Sequence, residues 1–282
     1  MKISQFLIKN KLVQKKDINF FGRARDNNNV KFYQDKLTKI IFTDYSTNYH
    51  NLYSEGEHYK DQSNSFERKN DNNRRVNLFE KYYKNKIICD FGCGNGDFLK
   101  KILPISKKVF GIELNKSNIK SLTRKKIVVK NNIDLIDTKF DTIFLFHVLE
   151  HLPNPLDFLK NFKNKLKKKG KVIIEVPHAR DILLDKFKNK DFVNFTLWSQ
   201  HLILHTKASL NFYLKSSGYK NIKIFGIQRY NIFNHFNWLN NGKPGGHKST
   251  FAKVLTKIDN NNYEILLKKL ESTDTLIAIA EN

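Results

Sequence analysis

Apolar residues recur along the chain at two alternating periods, and that alternation predicts its elements. Ile3, Phe6 and Leu7 fall at helical spacing and predict a short amphipathic helix within residues 1–20. From Val30 to Asp44, β-branched and aromatic residues alternate with polar ones around a polar turn, which predicts a hairpin. Residues 45–65 are rich in Tyr, Asn, Ser and His and keep neither period, so they read as a loop covering a site, with Tyr49, Tyr53, His58 and Tyr59 as its lid. Phe66–Lys84 brings Val76, Phe79 and Tyr83 to one face and predicts a helix.

The next hundred or so residues are the most regular. Buried strands are predicted at Ile87–Phe91, 108–114, 126–130, Phe140–Phe146 and Lys171–Pro177, with a helix from Asp97 to Leu103 and another after Phe146. Strands alternating with helices imply a parallel sheet covered on both faces. Beyond Pro177 come a helix at Thr206–Ser217, closed by Gly218, and strands at Asn221–Arg229 and Thr275–Glu281. The stretch between those last strands is far longer than a hairpin needs. No apolar run approaches the length required to cross a bilayer.

The first strand of this series runs into Gly92, Gly94 and Gly96 and then a helix, the place where an open parallel sheet admits a ligand to its backbone. Asp90 stands just before the turn. Glu113 ends the second strand 17 residues after Gly96, where a carboxylate accepts both hydroxyls of a ribose. With IICDFGCGNGDFL, FGIEL and FDTIFLFHVLEHLPNP in this order, the chain resembles the class I S-adenosylmethionine-dependent methyltransferases. KKKGKVIIEVP and TLIAIAE resemble that family's approach to strand five and its reversed seventh strand.

The resemblance implies an α/β, Rossmann-like seven-stranded sheet of order 3-2-1-4-5-7-6 with strand 7 antiparallel. Residues 1–65 are then an N-terminal extension or lid, and 66–282 the methyltransferase domain, carrying a substrate-side insertion at 230–272. It implies S-adenosyl-L-methionine as cofactor, with S-adenosyl-L-homocysteine as product and no metal. By position, Asp90 and Gly92, with Gly94 and Gly96 in the same turn, would hold the methionine part and Glu113 the ribose. Asn132 or Ile133 would lie near the adenine, and Phe146 with His147 near the sulfonium.

A hydroxyl acceptor must lose a proton, and a histidine near its ordinary pKa is the usual base. The resemblance implies that HLxxH-like text after strand five lies over the acceptor, which makes His201, in LWSQHLILHT, the first candidate, with Trp198 as a stacking wall. His151 reads as a structural residue of the loop after strand four. In the segment 228–249, Arg229, His235, Lys243 and His247 around Gly242–Gly246 bring donors suited to phosphate or carboxylate. The phrase around them resembles one in bacterial methyltransferases of surface-polysaccharide and nucleotide-sugar pathways. The amino-terminal part resembles the leader of related sugar C-methyltransferases, where cysteines bind zinc, but no cysteine precedes Cys89 here.

His147-Val-Leu-Glu150-His151 also fits H-x-x-E-H, the inverted zinc-protease motif. Pro153 and Pro155 follow at once and restrict the helix that motif needs. The formal charge of +24 comes from 51 basic residues of which only 8 are arginine. Lysine is a solvated point charge rather than a planar fork for phosphate or bases, and with abundant Asn it reflects AT-rich codons. Nucleic acid is therefore not expected as a partner, and the N/D-P-P-Y motif of base amino-methylation is absent after strand four.

Two cysteines and no export signal at the amino end predict a reduced, cytoplasmic protein. The expected function is methyl transfer to a hydroxyl of a sugar, nucleotide sugar or polysaccharide precursor. The alternatives are a quinone-type or other small-molecule O-methyltransferase and a non-catalytic cofactor- or nucleic-acid-binding module.

Overall fold

The computed structural model describes residues 1–45, 66–125, 127–254 and 257–282. The predicted lid, with Tyr49, Tyr53, His58 and Tyr59, lies outside the described residues. The chain opens with α1 (Ile3–Lys9) and an antiparallel run of β1 (Ile18–Arg23), β2 (Lys31–Asp35) and β3 (Ile41–Thr43). The hairpin was legible in the alternation from Val30 onward. β1 was not, because its residues are only partly buried and its pattern is weak.

The main body follows as α2 (Phe66–Tyr83), β4 (Ile87–Phe91), α3 (Asp97–Ile102), β5 (Lys108–Ile112), α4 (Lys116–Arg124), β6 (Val128–Lys130), β7 (Phe140–Phe146) and α5 (Pro155–Lys165). Then come β8 (Leu166–Pro177), α6 (Ile182–Asp185), α7 (Lys190–Thr196), β9 (Ile203–Leu204), α8 (Lys207–Ser216) and β10 (Lys220–Ile227). The chain ends with α9 (Ile232–Asn241), α10 (Lys257–Lys269) and β11 (Thr275–Glu281).

Seven strands form one sheet in the order β6-β5-β4-β7-β8-β11-β10, parallel except for β11, which runs antiparallel to both neighbours. This is the 3-2-1-4-5-7-6 order expected from the motifs. Each central strand is apolar on both faces, as a sheet buried between helices requires. In β7, Ile143 and Leu145 face a core shared with Leu159, Phe162, Leu210 and Tyr213. Phe144 and Phe146 face another with Phe79, Phe98 and Leu99. Emptying such an aromatic position costs about 3–5 kcal/mol.

The N-terminal extension is part of this core. Ile3, Phe6, Leu7, Ile40 and Phe42 pack in the same cluster as β7 and α8. β3 also pairs with the two-residue strand β9 of the main body, Ile41 opposite Leu204 and Phe42 opposite Ile203. β8 takes in Lys167, Lys168 and Lys169 ahead of the strand predicted at Lys171–Pro177. A register shift against β7 accommodates them, and the Lys167 ammonium meets Asp141 at 2.8 Å. Among the described residues no helix is long and apolar enough to cross a membrane.

Candidate active site

The turn from β4 into α3 is built by three glycines with positive φ: Gly92 at 74°, Gly94 at 54° and Gly96 at 73°. A side chain at Gly92 would strike Val148, and one at Gly96 would strike Leu122. At Gly94 a Cβ would meet nothing within 4 Å, so open space adjoins that stretch of backbone. The turn is tied to the next strand by Gly92 and Cys93 amides, both donating to the Ile112 carbonyl.

Glu113, one residue past β5, accepts from the Gly94 amide on Oε2 at 2.7 Å and from the Leu114 and Asn115 amides on Oε1, both at 2.8 Å. These bonds fix the carboxylate in the plane of the turn. Burial raises its pKa from the ordinary value, and the three amides oppose that rise.

Asp90 is buried behind the turn, and burial together with the Glu113 charge pushes its pKa up to about 7 against the pull of Arg75. An acid with a raised folded pKa binds a proton in the folded chain that the unfolded chain has released. Stability therefore falls as pH rises from about 4 to about 7 and then levels off. Asp90→Asn should be more stable than wild type at both pH 5 and pH 8, and its advantage should widen by about 3 kcal/mol between them, which thermal unfolding at the two pH values would measure.

One cavity of about 1350 Å³ opens at the carboxyl ends of β4, β5, β7 and β8. Gly92, Glu113, Asn132 and His147 line one part, and Trp198, His201, Arg229, His235 and His247 line another. Asp90, Gly94, Gly96, Phe146 and Lys243 do not reach its surface. Phe146 instead packs on Phe79 with centroids 5.8 Å apart, under the Arg75 guanidinium at 4.4 Å. Lys243 is exposed, because the turn after α9 points it outward while its carbonyl is held by Asn237.

The substrate-side cations differ from the sequence expectation. Arg229 is half-buried between Asp71 at 3.2 Å and Asp274 at 3.4 Å, and these carboxylates raise its pKa against the cost of desolvation. His247 sits between Asn234 at 3.1 Å and Glu67 at 3.3 Å. His235 bonds the Tyr263 hydroxyl, and burial pushes it down to about 4. The donors expected to meet an anionic substrate are thus largely engaged by the protein's own acids and hydroxyls.

His147 has positive φ and donates its backbone amide to the Glu175 carbonyl. Its ring meets Glu150 Oε1 at 3.2 Å and Glu175 Oε1 at 3.5 Å. Burial disfavours the charged ring, but the two carboxylates win and raise its pKa. Burial also opposes ionisation of Glu150, yet the His147 bond and the charges of nearby histidines hold it down to about 2.

His201 stacks obliquely on His151, ring centroids 5.1 Å apart, and burial with that neighbour pushes its pKa down to about 3. It is therefore neutral at physiological pH and a far weaker proton acceptor than the ordinary histidine the sequence suggested. Trp198 lies under the Arg25 guanidinium at 4.3 Å. Arg25, Tyr230, Trp238 and Asp181 also line the cavity, and nothing in their local sequence marked them. Burial, and after it the charge of Asp274, raises the Asp181 pKa to about 8.

The chain was compared with known proteins. A family model described as methyltransferase domain matches residues 62–224. A tRNA U34 carboxymethyltransferase of Nautilia profundicola is 29% identical over 161 residues, 52% of this chain and 51% of that protein. Another, of Aliarcobacter butzleri, is 25% identical over 168 residues, 54% of each. The chain spans about half the length of these curated relatives. A crystal structure of a SAM dependent methyltransferase from Archaeoglobus fulgidus superposes with a TM-score of 0.52 at 21% identity, over 74% of this chain and 92% of that one, and shares the fold. The matched segment takes in the glycine turn, Glu113 and the histidine-bearing turn after β7, and since it spans more than half of the residues, the chain belongs to the methyltransferase domain family.

Proposed function

We propose that the chain binds S-adenosyl-L-methionine along Gly92–Gly96, Glu113 and Asn132 and transfers its methyl group to a hydroxyl of a small polar acceptor, a sugar or nucleotide sugar, in the histidine-lined part of the cavity. One observation carries this reading: Gly92 of the glycine turn and the fixed Glu113 carboxylate line the same cavity as His151, His201 and Trp198. Its volume exceeds what a single ligand of ordinary size fills, leaving room for cofactor and acceptor together.

The bound cofactor supplies an already activated methyl group, so the protein's work is alignment and exclusion of water. Glu113 keeps lone pairs for two vicinal hydroxyls while its amide bonds hold it still. Trp198, pinned by Arg25, offers a flat face for a sugar ring. His201 lines the same part of the cavity, its ring centroid 6.3 Å from that of Trp198.

A second reading, an RNA acceptor, is supported by the names of the curated relatives and by the net charge of +24. Calorimetry with S-adenosyl-L-homocysteine tests the cofactor; absence of binding would end the proposal. Labelled cofactor offered with nucleotide sugars, polysaccharide fragments, quinol precursors and tRNA then tests the acceptor. The RNA reading predicts label in tRNA and filter binding that falls steeply with salt, whereas the sugar reading predicts neither.

A further inference from the structure

Two segments far apart in the chain, the turn after β7 and the turn before β9, bring Glu150, His151 and His201 together, with one ligand-capable atom of each within 4.8 Å of the others. Glu150 is fully buried, and its Oε2 has no hydrogen-bond partner. His201 Nδ1 is a second buried atom in the cluster without one. A buried carboxylate oxygen left unsatisfied is costly, and native proteins seldom keep one without a purpose.

The surroundings also fix which nitrogen of each ring carries a lone pair. His151 donates from Nδ1 to the Gln200 carbonyl at 2.9 Å, a tautomer whose lone pair is on Nε2. His201 bonds the Thr196 carbonyl, and its lone pair is then on Nδ1. Glu150 receives the His147 ring on Oε1, which leaves Oε2 for another partner. Backbone carbonyls orienting the far side of each imidazole are the support that metal-binding histidines use.

The geometry points to a binding site for a first-row divalent cation, held by Glu150 Oε2, His151 and His201 Nδ1 on the wall of the cavity. Two imidazoles and one carboxylate suit Zn²⁺, Co²⁺ or Mn²⁺ better than Mg²⁺ or Ca²⁺, which prefer all-oxygen shells. Three protein ligands leave positions open to the cavity that all three residues line. The site departs from the expectation of no metal, and it is not the H-x-x-E-H arrangement: His147 turns to Glu150 and Glu175, and the third ligand comes from the segment before β9. The methyltransferase reading bears only on what the cation does, which is to take an oxygen of the acceptor and make its hydroxyl easier to ionise.

The untagged full chain, stripped with a chelator, would be titrated with Co²⁺ and followed by visible absorption and calorimetry. One equivalent should bind and produce d–d bands, with Mg²⁺ in equal amount failing to displace it. His151→Ala and His201→Ala should each weaken Co²⁺ binding about 100-fold or more, with circular dichroism and melting confirming that the variants fold. Glu150→Gln should do the same, but the two histidine variants carry the test if it does not fold. A stripped wild type with no saturable site, unchanged affinity in both folded histidine variants, or equal competition by Mg²⁺ would overturn the site. S-adenosyl-L-homocysteine binding on the same samples separates this failure from failure of the cofactor reading.

Discussion

Glu113→Gln should weaken S-adenosyl-L-homocysteine binding on the order of 100-fold. A carboxylate that accepts two ribose hydroxyls supplies charge-assisted bonds of about 1.5–3 kcal/mol each, and an amide keeps one acceptor oxygen in place of two. The geometry adds a second cost. Both carboxylate oxygens already receive backbone amides, Gly94 on one and Leu114 with Asn115 on the other. Whichever way the glutamine amide is turned, its NH₂ faces an N–H that donates toward it. The glycine turn therefore loses part of its anchor as well, at about 1–3 kcal/mol of stability. Calorimetry and thermal unfolding together measure the two losses. Cofactor affinity within a few-fold of wild type would remove Glu113 from the ribose site.

Glu175→Gln is expected to be the most destabilising single change that keeps a side chain's shape. Glu175 is fully buried in β8, and one oxygen takes Arg74 at 2.8 Å and Arg75 at 2.7 Å. Removing that charge leaves two guanidinium groups and the His147 ring without their shared partner, and breaking a buried pair in this way costs about 3–5 kcal/mol. The melting temperature should drop by about 10 °C. The arginines hold the Glu175 pKa well below its ordinary 4.5, against burial. A depressed folded pKa means the stability is fully present above about pH 4.5 and is lost as pH falls below it. Wild type should thus lose stability on acidification faster than Glu175→Gln. Parallel acid slopes in melting experiments would show that the carboxylate contributes nothing.

The sheet was legible because its strands are buried on both faces and read as near-continuous apolar runs bounded by turns, as in Ile87–Phe91 and Phe140–Phe146. The glycine turn and Glu113 were legible for a related reason, since backbone conformation demands particular residues at fixed spacing. What escaped the sequence depends on residues distant in the chain. β9 is two residues long, too short for any period, and exists because β3 pairs with it. The triad of Glu150, His151 and His201 needs two loops folded onto one another, so His151 read as a structural residue. Arg229 looked like a free donor because Asp71 and Asp274, which engage it, lie on α2 and before β11. Lys243 looked like a site residue because sequence proximity to Gly245 says nothing about direction.

The short pairing of β3 with β9 reaches further than its length suggests. Leu202, next to His201, donates its amide to the Glu150 carbonyl and accepts from Thr43 at the end of β3. One residue thus joins the amino-terminal hairpin to both loops that carry the histidine cluster. The free energy needed to open the His201 loop consequently includes part of what holds Ile41 and Phe42 in place, and residues that touch no ligand share in setting how rigid that wall is. A substitution in the hairpin is then felt as a change in ligand affinity, because binding must offset whatever order the hairpin no longer provides.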